Sequence, residues 1–375
     1  VTGSSMAPID IDTVVIGHCN LIGLKWFSND PSHEGLQSRI FPIPFGYALR
    51  VKDEVQIYQK LIAEAKGVDS HIAPGALELV ALFAVASRLN PDTNFSNVIE
   101  KAKFLNGQIV ESVAEKKLDV RSVIARGSSS DDWSKKDGMF GVSPRDVMSA
   151  LSKAIVSEKG CKCLTSKKAM AFLVANLDNM MGVSPEVAKS YRNLLNNEIA
   201  TVYKERTIEI INTAFLSAYG DLALQKAKRY LEDVKLHCQK TRKFSAIRVT
   251  EEKSREPDYT EMKKIENHMG LTSNEAQNSA RGELHAMYLE YIQEYGSFDL
   301  TAFPKLREAV NKVLLEEMKM NILNILEVSD RPATGKDAEG ARQHKEDLVT
   351  GLKKLGFCDN CSYEVMDEAR KFLKK

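Results

Sequence analysis

Cysteine is scarce in this chain: six in 375 residues, at positions 19, 161, 163, 238, 358 and 361. So sparse a set makes no disulfide framework, and reduced thiols are expected. Charge of one sign is lacking as well. The 52 basic and 51 acidic side chains leave a net charge of +1, which gives no electrostatic footprint for nucleic acid or an anionic membrane. No apolar run approaches about 18 residues and no charged segment leads into an apolar stretch, so neither a membrane span nor a secretory leader is expected. A cytoplasmic protein is the expectation. Also missing is any loop that grips nucleotide, since no G-x-x-x-x-G-K-[ST] occurs. Ala333-Thr334-Gly335-Lys336 comes nearest, but it lacks the first glycine and the closing hydroxyl residue, and Pro332 argues for a turn. The G-x-G-x-x-G, H-R-D and D-F-G signatures of eukaryotic-type kinases are absent too, and no phosphotransfer base stands out.

What is present is a globular composition, 43% hydrophobic and 27% charged, enough for roughly two or three domains. The chain opens Val1-Thr2-Gly3-Ser4-Ser5 rather than on Met, which reads as a fragment or an internal boundary. The β-branched run 13–16 and the stretch 40–45, with its edge-type prolines, predict two strands. Beyond them the pattern is helical. Val55, Tyr58, Leu61 and Ile62 recur at three- and four-residue spacing, and Pro74 opens a second helix carrying Leu77, Val80, Ala81 and Ala84. A helix is expected near 96–117, and 127–132 reads as an exposed loop. Ser143-Pro144, Thr165 and Ser184-Pro185 are helix caps. The last of these opens a helical region to about 238, with Ile208, Ile211, Phe215 and Leu222 at core spacing. The charged stretch 248–260 reads as a linker. Helices are expected at about 272–295, 302–327, 342–355 and 359–374, with a polar segment at 329–341.

Three residues carry candidate chemistry. The first strand ends in His18-Cys19-Asn20, and ligands gather at the carboxyl ends of strands in open α/β sheets. Asn20 is thus either a holder of a water or phosphate oxygen or an ordinary turn residue. Arg39, just before the second strand, is either a cation aimed at a neighbouring subunit's phosphate or a surface arginine. Arg145 falls in the first turn of a helix, where the helix dipole slightly disfavours a cation. It has an anionic partner there, or it marks an ordinary helix start.

Strand and Asn, short helix and Arg, strand, two lid-like helices, then Gly-x-Ser-x-Arg at a helix start: this order resembles the second half of a AAA+ module. More narrowly the chain resembles the PrkA family of serine protein kinases. The resemblance rests on Ile9-Asp10 leading to Val14-Val15-Ile16-Gly17-His18-Cys19-Asn20, on Leu36-Gln37-Ser38-Arg39-Ile40, and on Leu49-Arg50-Val51 with the helix after it. Ala73-Pro74-Gly75-Ala76-Leu77-Glu78, Gly141-Val142-Ser143-Pro144-Arg145 and Leu355-Gly356-Phe357-Cys358-Asp359-Asn360-Cys361 complete it. It implies a mainly α protein: the remnant of an α/β AAA+ core with its helical lid over 1–160, then an all-helical C-terminal domain over 161–375. By it, Asn20 is the sensor 1 residue, Arg39 the arginine finger and Arg145 the sensor 2 arginine. Leu21 and Ser38 stand where family members usually carry acidic residues.

The implied cofactors are ATP and Mg. The implied partners are a protein substrate and either further copies of the chain or a partner bearing the nucleotide-binding core, with no nucleic acid and no membrane. The implied activity is that of an ATP-dependent serine/threonine protein kinase, inactive without the phosphate-binding loop. A non-catalytic helical adaptor and a AAA+ remodelling or protease component are the alternatives.

Cys358-x-x-Cys361 follows a helix-ending glycine and begins a new helix, where the dipole lowers a thiol pKa. Zinc would need two more ligands, and Cys161-Lys162-Cys163 is the paired candidate. Packing of small, soft side chains is the favoured reading, so no metal ligands are assigned and chelators are expected to leave the fold intact. His237 and Cys238, adjacent on a helix, point to different faces and make no ligand pair.

Overall fold

Helix caps and apolar periodicity build nearly all of this chain. The computed structural model describes residues 13–65, 70–130, 132–156, 163–180, 183–243, 255–327 and 336–374. It divides into two units, Val1–Gly46 and Tyr47–Lys375.

In the first unit, α1 (Leu21–Asn29) is capped by Asn20, and a 3-10 turn, Pro31–His33, leads into α2 (Glu34–Gln37). The strands expected at 13–16 and 40–45 do not form. Val14, Val15, Ile16, Phe41 and Phe45 are exposed in irregular backbone. A strand is completed by a neighbour's backbone, and no described residue pairs with either stretch.

The second unit begins with α3 (Val51–Glu64), β1 (His71–Ile72) and α4 (Ala76–Ala86). Every residue of α4 except Glu78 is buried, as befits a helix apolar all round. Around it pack α3, α5 (Val98–Leu105), α7 (Pro144–Val156) and α8 (Ser166–Asn176), while α6 (Val120–Gly127) lies against α5. One continuous core results, from Val51 to Val202. The expected helix near 96–117 stops at Leu105, and a 3-10 turn, Glu111–Val113, follows. Pro74 sits in the turn before α4 rather than in the helix, and Gly75 (φ +80°) occupies the cap.

Thr165 and Ser184 cap α8 and α9 (Pro185–Leu194) as their types predict. After α9 a π-turn (Leu195–Ile199) runs into α10 (Ala200–Ala218) and then α11 (Gly220–Lys243). Ile211 and Phe215 are buried, but Leu222 is exposed, because the helix breaks at Tyr219 and the apolar register restarts. Then come α12 (Tyr259–His268), α13 (Asn274–Tyr295), α14 (Pro304–Glu327), α15 (Lys336–Lys354) and α16 (Asp359–Leu373). Residues of α11, α12 and the first half of α14 share a second core, and α10, the end of α14, α15 and α16 share a third. The chain is thus mainly α.

Among the described residues the sole strand ladder is a parallel two-residue pairing, His71 opposite Cys163 and Ile72 opposite Leu164, the latter pair being β2 (Cys163–Leu164). Ala73 and Cys163 join the core formed by the C-terminal helices, so this small ladder meets α15 and α16. Among the described residues no helix is long and apolar enough to cross a membrane.

Candidate functional site

Asn20 and Arg39 belong to the first unit, Arg145 to the second. The Asn20 side-chain oxygen accepts the Gly23 N–H at 2.6 Å and so satisfies an open donor of α1, the ordinary work of a cap. Arg39 follows α2 and its side chain is exposed.

Arg145 is presented by a more elaborate structure. Arg88, directly after the buried helix α4, is wholly buried against Glu54 of α3. Its Nη1 donates to Glu54 Oε2 (2.7 Å) and its Nη2 to Oε1 (2.6 Å), a forked pairing that suits guanidinium and carboxylate. Tyr58, one turn further along α3, donates its hydroxyl to Glu54 Oε1 at 2.7 Å. Burial, and then the Glu54 charge, push the Tyr58 phenol well above its usual range.

The remaining Arg88 bonds go to loops. Nε and Nη2 donate to Val142 O (2.9 and 2.8 Å), and Nη1 donates to Ala48 O (3.0 Å). Ser87 Oγ accepts the Val142 N–H at 2.9 Å. Gly141 passes so close that a Cβ there would lie 2.6 Å from Arg88 Cγ and from Ser87 O, and its φ is +94°. Only glycine fits. Ser143 then caps α7, accepting from Asp146 N–H (3.2 Å) and donating to its carboxylate (2.6 Å).

The same loop is held further back by Asp137, which accepts from Lys101 Nζ at 2.7 Å in a buried pair and from the Asn90 backbone N–H at 2.7 Å. Arg145 is exposed two residues after the Ser143 cap, and no hydrogen bond or ion pair to a described residue engages its side chain. Exposed cations of this kind suit a phosphate ligand. A backbone cradle for a triphosphate is not among these residues, so no catalytic step is assigned to them.

A second constellation gathers at the small ladder. His71, Cys163, Cys358 and Cys361 bring one nitrogen and three sulfurs within 4.8 Å of one another. His71 Nδ1 lies 3.2 Å from Cys163 Sγ and 3.8 Å from Cys361 Sγ, and Cys358 Sγ is 3.9 Å from Cys163 Sγ. The other ring nitrogen, Nε2, is 3.0 Å from Gly356 O. A carbonyl can only accept, so Nε2 carries the proton and Nδ1 turns its lone pair to the sulfurs. Hydrogen bonding from Cys163 holds the Cys361 thiol down at about 6, while the same contact and burial push Cys163 up. These four are the described residues that could hold a metal together.

Of the cysteine pair 161/163 that the sequence offers beside Cys358 and Cys361, Cys163 does join the group and Cys161 lies outside the described residues; His71 is the member of the group that the sequence did not point to. His237 and Cys238 are apart from it, at Tyr259 and Arg281 respectively. Arg88 and Glu54 were also missed, though a charge closing the long apolar run from Leu79 to Ala86 was a usable sign of a buried pair.

Residues 2–96 match the PrkA AAA domain and residues 99–367 the PrkA serine protein kinase C-terminal domain. The chain is 28% identical over 314 residues to the ATP-dependent protease PrkA of Bacillus subtilis, covering 84% of this chain and 47% of that protein. It is 22% identical over 226 residues to the serine/threonine kinase YeaG of Escherichia coli K12, covering 60% of this chain and 34% of that one. It therefore spans less than half the length of these relatives. No solved structure matches it. With a single family match extending through most of the helical region and a companion AAA match before it, the chain belongs to the PrkA serine protein kinase family.

Proposed function

We propose that this chain supplies the sensing and lid elements, and the helical effector domain, of an ATP-driven enzyme that phosphorylates protein substrates on serine or threonine. ATP and Mg²⁺ bind at a core whose phosphate loop comes from residues outside these 375 or from a partner chain. Arg145 reads the nucleotide of its own subunit as sensor 2, Asn20 acts as sensor 1, and Arg39 reaches a phosphate on a neighbouring copy. The observation that carries this reading is the presentation of Arg145: a loop pinned by the buried Arg88 and Gly141 ends in an exposed cation with no described partner. The names of the relatives include both a kinase and an ATP-dependent protease. The kinase reading follows the family description of the larger matched region.

The test is an assembly reconstituted with a nucleotide-binding core and assayed in one reaction for transfer of labelled γ-phosphate to protein and for ATP-dependent cleavage. Phosphoprotein without cleavage products is expected, and cleavage without transfer would favour the protease reading. Arginine fingers are worth about 10³ to 10⁵ in rate. Arg39→Ala is therefore expected to remove most turnover while ATP affinity and melting temperature hold. Full turnover in that variant would return Arg39 to an ordinary surface arginine.

A further inference from the structure

We propose that His71, Cys163, Cys358 and Cys361 form a closed tetrahedral zinc site that staples the α15–α16 corner to the small parallel ladder. Zinc bonds of about 2.3 Å to sulfur and about 2.0–2.1 Å to nitrogen, arranged tetrahedrally, place two sulfurs about 3.8 Å apart and a sulfur and a nitrogen about 3.6 Å apart. The separations here are 3.9 Å for Cys358 to Cys163, and 3.2 and 3.8 Å from His71 Nδ1 to Cys163 and Cys361. All four donor atoms lie within 4.8 Å of one another, so ligand shifts on the order of 1 Å or less would regularise them. Three thiolates and an imidazole are soft donors that suit zinc and reject magnesium or calcium.

The surroundings are those of a ligand set rather than of packed thiols. His71 donates Nε2–H to Gly356 O, which fixes the tautomer that leaves Nδ1 free to ligate. The Cys358 backbone N–H donates to Cys361 Sγ at 3.0 Å, a bond that stabilises a thiolate. Lys168 Nζ, bonded to Cys163 O at 3.2 Å, brings a cation to a centre whose three thiolates and Zn²⁺ sum to a single negative charge. The backbone is shaped for it as well. Strand register sets His71 beside Cys163, and Gly356, at φ +93°, turns the chain out of α15 so that Cys358 and Cys361 occupy the cap and first turn of α16.

With four protein ligands no position is left for substrate, so the site is structural. Its ligands lie up to 290 residues apart in sequence, and the metal therefore couples the folding of distant segments. None of this depends on the kinase reading.

The full chain, purified without chelator or added metal, is expected to carry about one zinc per molecule. After exchange, Co²⁺ should give the visible bands of a tetrahedral site with thiolate charge-transfer absorption. Cys163→Ser and His71→Ala should weaken zinc binding more than about tenfold, His71→Cys should retain it by supplying a fourth thiolate, and Cys238→Ser should leave it unchanged. Chelation should lower the melting temperature of the wild-type chain but not that of Cys163→Ser. Three results would each overturn the proposal: wild-type protein with neither zinc nor a stoichiometric thiolate–cobalt spectrum, equal zinc in Cys163→Ser, or a Cys358–Cys361 disulfide in protein kept from reductant.

Discussion

Two buried arginine–glutamate corners stand in this chain, alike in chemistry and different in what they hold. At the first, Arg88 forks onto Glu54, with Tyr58 donating to the same carboxylate and the Tyr47 ring 4.9 Å from the guanidinium carbon. At the second, Arg281 of α13 binds Glu266 of α12 through Nε (2.7 Å) and Nη2 (2.8 Å), with Tyr230 at 3.4 Å and the Tyr259 ring 5.6 Å away. The spare donor of Arg281 turns back to Asn278 on its own helix. The spare bonds of Arg88 go instead to the carbonyls of Val142 and Ala48. A buried ion pair is weak evidence of net stabilisation, because desolvation offsets the attraction. Here the same device locks a helix pair in one place and positions a loop in the other.

Breaking the first corner should have the largest effect. Arg88→Met leaves the Glu54 carboxylate buried without its cation, and removing one partner of such a pair typically costs about 3–5 kcal/mol. It also strips two carbonyls of their donors. Denaturant unfolding should register at least that loss, and amide exchange should accelerate at Val142 and its neighbours. Arg281→Met should destabilise as well while leaving exchange at Val142 untouched. Equal acceleration there in both variants would deny Arg88 its hold on the loop.

Replacing both partners sharpens the contrast. Glu266→Leu with Arg281→Met removes both charges and leaves few stranded groups, so stability should return to within about 1 kcal/mol of the parent or exceed it. Glu54→Leu with Arg88→Met still strands Val142 O, Ala48 O and the Tyr58 hydroxyl. At about 1–3 kcal/mol for each of these three buried groups left unsatisfied, this double variant should remain at least about 3 kcal/mol below the parent. Urea midpoints of the two doubles decide it, and similar recovery at both corners would reduce Arg88 to a simple packing pair.

The sequence made the helices legible because their signals are local. Ser143, Thr165 and Ser184 announce starts through side chains that bond three residues on, and Tyr58, Ile211 and Phe215 mark buried faces by spacing alone. What it hid is non-local. His71 and Cys163 meet across 92 residues through a ladder of two pairs, too short for any period to show. Glu54 and Arg88 each read as ordinary charges until the fold sets them together. The runs 13–16 and 40–45 carry real strand propensity, but propensity does not provide the adjoining backbone a strand requires.

The smallest effect on the fold should come from Arg145, three residues beyond the carbonyl that Arg88 holds. Its side chain is exposed, it pairs with no described residue, and it stands in the first turn of α7, where a cation opposes the helix dipole by a few tenths of a kcal/mol. Arg145→Ala should therefore leave the melting temperature and unfolding midpoint unchanged or slightly raised, within about 0.5 kcal/mol. If Arg145 acts as proposed, the same change should weaken ATP binding in the reconstituted assembly, because the phosphate then lacks its guanidinium partner. The pairing of outcomes matters more than either alone. Unchanged stability with weakened nucleotide binding marks a residue held out for a ligand by the Arg88 corner. Unchanged stability with unchanged binding marks a bystander, and the anchored loop would then have to serve something other than sensor 2.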